Sequence, residues 1–341
     1  MNDPKIQSRL NLGPIHHWLP GPMRLSIDLH GDQMVSGAHE FGYAKKDVEK
    51  KILGTSFVQA RHWFSRIEPE SAVLLDRIFS EAVEECLGWS VEDRAVWIRE
   101  VSTTVSEFSS MLKYLAVMAE AMGLLILKNI LLKHREELLD LTELLTGSRY
   151  GYCFVRAGGV RYDITEGFLE RIEIWIKNYL ADFDRIQSMF LWSHTFQNRL
   201  QAIGTVVDGG KFGFVSETSV QTTHVGLVSQ VESRLVFVLN CTRSCADEIM
   251  ALVATPHKGA FLVEGWNKRI KPASTRDLVC WRGEWALELK LGEDLKVESM
   301  KVGTPSDAIL GAIIPALESE YFEDTPLILK SLGFLVTEID R

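Results

Sequence analysis

Two adjacent histidines, His16 and His17, sit in the run Gly13-Pro14-Ile15-His16-His17-Trp18-Leu19-Pro20-Gly21-Pro22, which glycine and proline stiffen at both ends. Imidazoles held on such a loop are placed to handle protons or a polar ligand, because their charge changes near neutral pH. A second set of groups is acidic. Asp140 lies on an apolar helical stretch, where a buried carboxylate must be paired or protonated, and Arg135 is the basic neighbour in helical reach. Glu68 and Glu70 flank Pro69 at a helix start, where acidic groups complement the positive helix end; the alternative is that Glu68 lines a cavity and exchanges protons. Arg66 either braces this loop through carboxylates or approaches the cavity as a cation. Cys241 and Cys245 share a face if their segment is helical, but two further ligands for a metal are missing, so no metal site is expected.

These groups need elements to hold them. Met23 to Leu29 alternates, with Leu25, Ile27 and Leu29 on one face; His30-Gly31-Asp32-Gln33 turns the chain and Met34 to His39 returns, which predicts a β-hairpin. Helical spacing then takes over. One helix opens at Glu68-Pro69-Glu70-Ser71 and ends near Gly88, and long buried helices follow over Glu92 to Met122 and Leu124 to Leu145, the second stopped by Thr146-Gly147. A further helix is expected from Thr165 to about Leu200, a glycine-rich loop over Gly204 to Gly226, and a helix over Glu232 to Val253, although Val236 to Leu239 also suits a strand. The remainder mixes short strands (Ala260–Glu264, Trp285–Leu291, Lys296–Val302) with helices after Pro305 and near Pro326. The expected architecture is α+β: a helical-bundle core with an N-terminal hairpin and peripheral C-terminal strands. Its expected divisions are residues 1–43 (loop and hairpin), 44–258 (helical core) and 259–341 (α/β segment packed on the core), forming one integrated domain.

Composition narrows the function. At 341 residues and 46% hydrophobic, the chain can bury a large core, and a net charge of -9 argues against nucleic acid, which needs a basic footprint. Five scattered cysteines suit a reducing compartment. The polar start, Met1 to Arg9, lacks the apolar centre of a signal peptide. The longest apolar run, Tyr114 to Leu127, is interrupted by Glu120 and is shorter than the ~20 residues that cross a bilayer, so it reads as a buried helix. Gly158-Gly159 is a turn with close backbone approach and not a dinucleotide loop, since no strand-glycine-helix unit surrounds it. Aromatic residues spaced along the helices read as packing.

Short motifs run through the chain in order: the opening His loop; Gly42-Tyr43 with Glu49-Lys50; Phe57-Val58-Gln59 and Arg66; Ala82-Val83-Glu84 with Leu87-Gly88; Arg94 and Ile98-Arg99. The strongest block is Arg135-Glu136, Leu139-Asp140-Leu141, Thr146-Gly147-Ser148-Arg149 and Arg156-Ala157-Gly158-Gly159-Val160, and Arg282-Gly283-Glu284, Val302 to Ser306 and Ile339-Asp340-Arg341 close the series. In these residues the chain resembles the D-type subunit of NADH-quinone oxidoreductase, the quinone-site subunit of respiratory complex I, related to nickel-iron hydrogenase large subunits. The resemblance implies the hydrogenase large-subunit-like fold and a place in a membrane-bound complex. There an iron-sulfur subunit would share a cavity for the quinone headgroup, quinone being the substrate. It further implies membrane ion-pumping subunits and other peripheral-arm subunits as partners, and a peripheral position at the cytoplasmic face of the cell membrane. No cofactor would be bound by this chain alone, since the cluster belongs to the partner and any NAD to another subunit. The residues it implies are His16, Asp140 and Glu68 for catalysis, Gly13, Pro14, His17, Pro20, Arg66 and Pro69 for the quinone cavity, and Glu49 and Arg135 for proton coupling.

The pattern is also broken. The second histidine of the family loop falls on Pro20 and its quinone-contacting tyrosine on Pro69, neither of which can donate a hydrogen bond. The hydrogenase thiolate positions hold Glu68 and Ser71, and no cysteine pair lies near Arg341, which argues against a nickel-iron site. The stretch from about Gly204 to Thr255 looks shortened, with an eroded basic segment. Two alternatives stay open beside the quinone reading: a scaffold or coupling subunit without redox chemistry, and an energy-converting hydrogenase relative, lacking nickel-iron, with another electron acceptor.

Overall fold

The computed structural model describes residues 6–206, 216–218, 221–223, 230–263 and 270–341. The predicted hairpin forms as β2 (Arg24–His30) and β3 (Gln33–Glu40), with His30 opposite Gln33 and with Leu25, Ile27 and Leu29 buried. A strand the alternation does not reveal, β1 (Ser8–Leu12), adds to β2 antiparallel, giving the order β1-β2-β3. It is almost wholly exposed, so burial left no hydrophobic pattern in it. Arg9 and Ser36 both hydrogen-bond Asp28 in this sheet and hold its carboxyl down at about 2.

Two short helices, α1 (Val48–Ile52) and α2 (Phe57–Phe64), lead to a 3-10 turn at Pro69–Ser71 and then α3 (Ala72–Leu87), which Gly88 ends in the left-handed conformation at φ 66°. α4 (Asp93–Ala121) and α5 (Leu125–Thr146) form an antiparallel pair around Gly123, at φ 77°. The apolar run Tyr114 to Leu127 is therefore not one buried helix but the end of α4, a reversal and the start of α5, where Leu125 and Ile126 are exposed. Among the described residues no helix is long and apolar enough to cross a membrane.

The short hairpin β4 (Val155–Arg156) and β5 (Gly159–Val160) follows. The helix expected to Leu200 is two helices, α6 (Phe168–Leu191) and α7 (His194–Arg199), because Ser193 caps the second by accepting the Phe196 N–H at 3.1 Å. Most of the expected Gly204–Gly226 loop lies outside the described residues; within it β6 (Ser216–Thr218) pairs with β7 (Gln221–Thr223). α8 (Val231–Ala254) resolves the strand alternative at Val236 to Leu239 in favour of helix.

The bundle core is formed where α4, α5, α6 and α8 meet: the Trp175 and Tyr179 rings stack at 5.7 Å and Phe108 meets both edge-on. A second core packs α2 and α3 against β8 (Ala273–Cys280), β9 (Gly283–Leu291) and β10 (Val297–Gly303), with Phe64, Phe79, Trp285, Leu287 and Leu289 buried together. The strand expected at Ala260–Glu264 is not formed in its described part. Leu262 makes an isolated bridge to Gly159, and Glu264 lies outside the described residues. Phe261 and Val263 instead pass against two bare glycines: a Cβ on Gly158 or Gly159 would lie 2.1 Å from the carbonyl oxygen of Val263 or Phe261. Three short helices, α9 (Pro305–Ile309), α10 (Thr325–Ser331) and α11 (Val336–Ile339), return the chain to the N-terminal hairpin.

Candidate functional site

The histidine loop joins β1 to β2. Gly13 holds φ 101°, and a Cβ there would lie 2.1 Å from the Met23 carbonyl oxygen, so the loop can close on itself only with glycine. The Met23 N–H donates to Pro14 O at 3.0 Å and the Leu19 N–H to His16 O at 3.0 Å. Nδ1 of His16 accepts the Trp18 N–H at 3.3 Å, and its ring lies 4.5 Å from that of His17. His17 and Pro20, but not His16, line a cavity of about 310 Å³.

The other walls come from distant parts of the chain. α4 supplies Lys113 and Tyr114, the 3-10 turn before α3 supplies Glu70, and Lys330 and Phe334 come from α10 and the segment after it. Trp281 and Arg282 are the two turn residues of the β8–β9 hairpin, where Cys280 faces Gly283; this tight turn pushes both into the bundle. The Tyr114 hydroxyl donates to Ser331 O at 2.9 Å.

Charge in the cavity is arranged as a chain. The buried Glu70 carboxylate accepts from Lys113 Nζ at 2.8 Å and from Arg135 Nη2 at 2.9 and 3.0 Å. Beside it, buried Glu68 accepts from the Thr337 hydroxyl and from the Glu70 N–H at 3.1 Å. Burial, then repulsion from Glu338, raises the Glu68 carboxyl above its ordinary range, against the opposing pull of Thr337 and Arg282. Arg282 Nη2 donates to Glu338 at 2.5 Å and to Ser71 Oγ at 3.2 Å, and Ser306 donates to the other Glu338 oxygen at 2.5 Å.

The residues singled out from sequence are thus divided. His17 and Pro20 share a wall with Glu70, and Arg135 reaches it through Glu70; Gly13 and Pro14 shape the loop behind. Pro69 lines a separate space of about 380 Å³ with Lys46, Trp63, Arg66 and Tyr152. There the Arg66 guanidinium donates to His62 O at 2.6 Å and covers the Tyr152 ring at 5.0 Å. It braces its own turn through a carbonyl and not through carboxylates. Asp140 is corrected most. It is exposed and pairs with Arg149 at 2.8 Å, because Arg135 turns inward to Glu70 and leaves Asp140 on the outer face of α5. Glu49 pairs with Arg341 at 3.2 Å, and Lys50 with Asp47 at 3.1 Å. Glu70, read as a helix-start charge, is the hub of the cavity, and Lys113 and Lys330 carried no sequence signal. Arg282 did carry one, in the Arg282-Gly283-Glu284 motif.

The fold that builds this cavity is shared with a chain of the membrane-bound sulfane sulfur reductase, an archaeal respiratory membrane complex: TM-score 0.89 at 19% identity, covering 98% of this chain and 99% of that one. By sequence, residues 122–213 match the family described as respiratory-chain NADH dehydrogenase, 49 Kd subunit. The D-type subunit of the NADH-quinone oxidoreductase of Carboxydothermus hydrogenoformans is 29% identical, over 58% of this chain and 54% of that protein. The mitochondrial NADH-ubiquinone oxidoreductase 49 kDa subunit of Neurospora crassa is 30% identical, over 58% and 41%. The D-type subunit of the F(420)H(2) dehydrogenase of Methanosarcina mazei is 30% identical, over 58% and 53%. The matched region spans about half the length of these curated relatives. In the matched regions the chain is similar to the 49 kDa, or D-type, subunits of these complexes.

Proposed function

We propose that the chain is the 49 kDa-type component of a membrane-bound oxidoreductase complex, in which it supplies one wall of a quinone headgroup cavity beside an iron-sulfur subunit. The chain sits peripherally at the cytoplasmic face, held by its partners. Electrons reach quinone from the partner's cluster, and the reaction is coupled to ion translocation in membrane subunits. The observation that carries this reading is the 310 Å³ cavity in which the histidine loop meets Glu70, Lys113 and the Trp281–Arg282 turn. Concave sites with apolar walls and a few convergent polar groups are where small ligands bind.

Pro20 and Pro69 leave the donor role to other residues. Lys113 Nζ, already ordered by Glu70, points a cation at the cavity, and the imidazole of His17 on the opposite loop is a group of the kind that shuttles protons. Arg282 is held in place by Glu338, so its guanidinium is a fixed group on the cavity wall where negative charge develops on the headgroup. Glu68 stands behind Glu70 as a carboxyl able to carry a proton.

Three cations in the lining, Lys113, Arg282 and Lys330, stand against two carboxylates, Glu70 and Glu120; that balance also suits an anionic acceptor, and the complex that shares the fold is named for sulfane sulfur. The test is quinone reduction by the purified complex, driven by NADH and by reduced ferredoxin, with and without a headgroup-competitive inhibitor. Inhibitor-sensitive quinone reduction that Lys113→Met lowers at least tenfold supports the reading. An intact complex with reducible clusters that reduces polysulfide but not quinone replaces quinone with an anionic acceptor, and one that reduces neither is a scaffold.

A further inference from the structure

The Trp281–Arg282 turn has a second side. The Trp281 backbone N–H donates to Glu107 Oε2 at 3.0 Å and its indole N–H to Ser110 Oγ at 3.2 Å. Glu107 and Ser110 lie one turn apart on α4, and Ser110 and Trp281 belong to the cavity wall. Glu107 therefore sits one layer behind the cavity, against the backbone of the residue that forms its wall.

The surroundings of this carboxyl are unusual. α8 presents Cys241, Cys245 and Glu248 towards it, and the β8–β9 turn presents Cys280 and Arg282. The three thiols are themselves pushed up by burial, Cys241 and Cys280 to about 12, so they stay protonated and do not exchange protons with Glu107 near neutrality. The Arg282 charge is already engaged by Glu338. Glu248 repels the Glu107 carboxylate, while the Trp281 N–H and Arg282 favour it.

We propose that Glu107 is a proton-coupling residue of the cavity: it takes up a proton from solvent when negative charge enters the cavity and returns it when neutral product leaves. The inference rests on the acceptor-cavity reading, with electrons from a reduced iron-sulfur partner. The carboxylate gains one proton and no bond to the acceptor is made. Partial burial raises the Glu107 carboxyl to about 7, where both forms are populated at neutral pH. The link to the cavity is the Trp281 backbone N–H, which Glu107 accepts at 3.0 Å behind the wall that Trp281 forms.

The test is infrared difference spectroscopy of the assembled complex. A pH titration is expected to show carboxylic C=O absorbance with a midpoint near 7, of which Glu107→Gln removes one component and Asp76→Asn the other. The amide introduced at position 107 keeps an oxygen for the Trp281 N–H, so the fold is retained. Glu248→Gln is expected to keep the Glu107 component and move its midpoint down. Electrochemical reduction with decylubiquinone present is expected to increase the Glu107 component at constant pH. A titration unaffected by Glu107→Gln overturns the assignment, and a titrating Glu107 component that reduction does not change in a quinone-reducing complex overturns the coupling. A complex with reducible clusters and no quinone turnover overturns the functional reading and, with it, the coupling, while the pH titration still decides the assignment.

Discussion

Replacing Glu338 by alanine strips Arg282 of its carboxylate partner in the interior. Both side chains are buried, 3% and 0% exposed, and the pair is joined at 2.5 Å. Ser71 at 3.2 Å is a neutral partner and cannot replace the lost charge. Removing one half of a buried pair costs about 3–5 kcal/mol, since the surviving charge stays desolvated. Glu338 also accepts from Ser306, whose hydroxyl in turn receives the Leu335 N–H at 2.9 Å, so the loss falls on the docking of α11. Amide hydrogen exchange in the assembled complex reads that docking directly through the Leu335 and Asp340 amides, the latter donating to Val336 O at 2.9 Å. A loss of about 3–5 kcal/mol in local opening speeds their exchange roughly a hundred- to several-thousand-fold. The Arg282→Met, Glu338→Leu double variant should recover much of the protection, because no unpaired charge remains. Exchange within about twofold of the unmodified protein in Glu338→Ala, or a double variant as loose as the sum of the single ones, would refute the reasoning.

Other expectations follow from the same geometry. Gly13→Ala places a Cβ against Met23 O and forces an L residue to φ 101°; it should loosen the loop by about 2–3 kcal/mol or more and appear as faster proteolysis within residues 14–22. Glu70→Gln withdraws the shared charge from Lys113 and Arg135, and turnover should fall while assembly, followed by native gel, is retained. Asp140→Asn removes only an exposed pair with Arg149, so stability should change by no more than ~1 kcal/mol and turnover per assembled complex should not change. Asp76, fully buried, has its carboxyl raised by burial to about 7, against the pull of Arg61. A raised acid stabilises fully below its unfolded value, and that contribution is lost as pH climbs through about 7. Asp76→Asn should therefore gain stability relative to the unmodified protein between pH ~5 and ~8, in thermal melts at both, and an equal difference at the two pH values would contradict this.

Where burial repeats along a single element, the sequence was readable. The β2–β3 hairpin carries its inward face at every second residue, and α3, α4 and α5 carry theirs at three-four spacing and end at glycines with positive φ. β1 was hidden because an exposed edge strand needs no pattern, and the Ala260–Glu264 expectation failed because its apolar residues pack against glycine backbone and not on a sheet. Asp140 illustrates the limit on one helix: its leucine neighbours are buried, but α5 rotates far enough between adjacent residues to put Asp140 outside. The site was legible only as a loop. That Glu70 meets Lys113 and Arg135, or that the Trp281–Arg282 turn meets His17, depends on contacts far apart in sequence, which local periodicity does not encode.

The last described helix has a consequence for how the protein is made. Thr337 reaches Glu68 across 269 residues, Asp340 receives the amides of Gly42 and Ala44 across 298 and 296, and Arg341 ties Glu49 to Asp307. These contacts cannot exist on a ribosome that has not yet released residues 335–341. Until then Arg282 lacks Glu338, the carboxylate that accepts from it in the finished fold. The contact that fixes Arg282 through Glu338 is therefore among the last to form, whatever else of the fold is already in place.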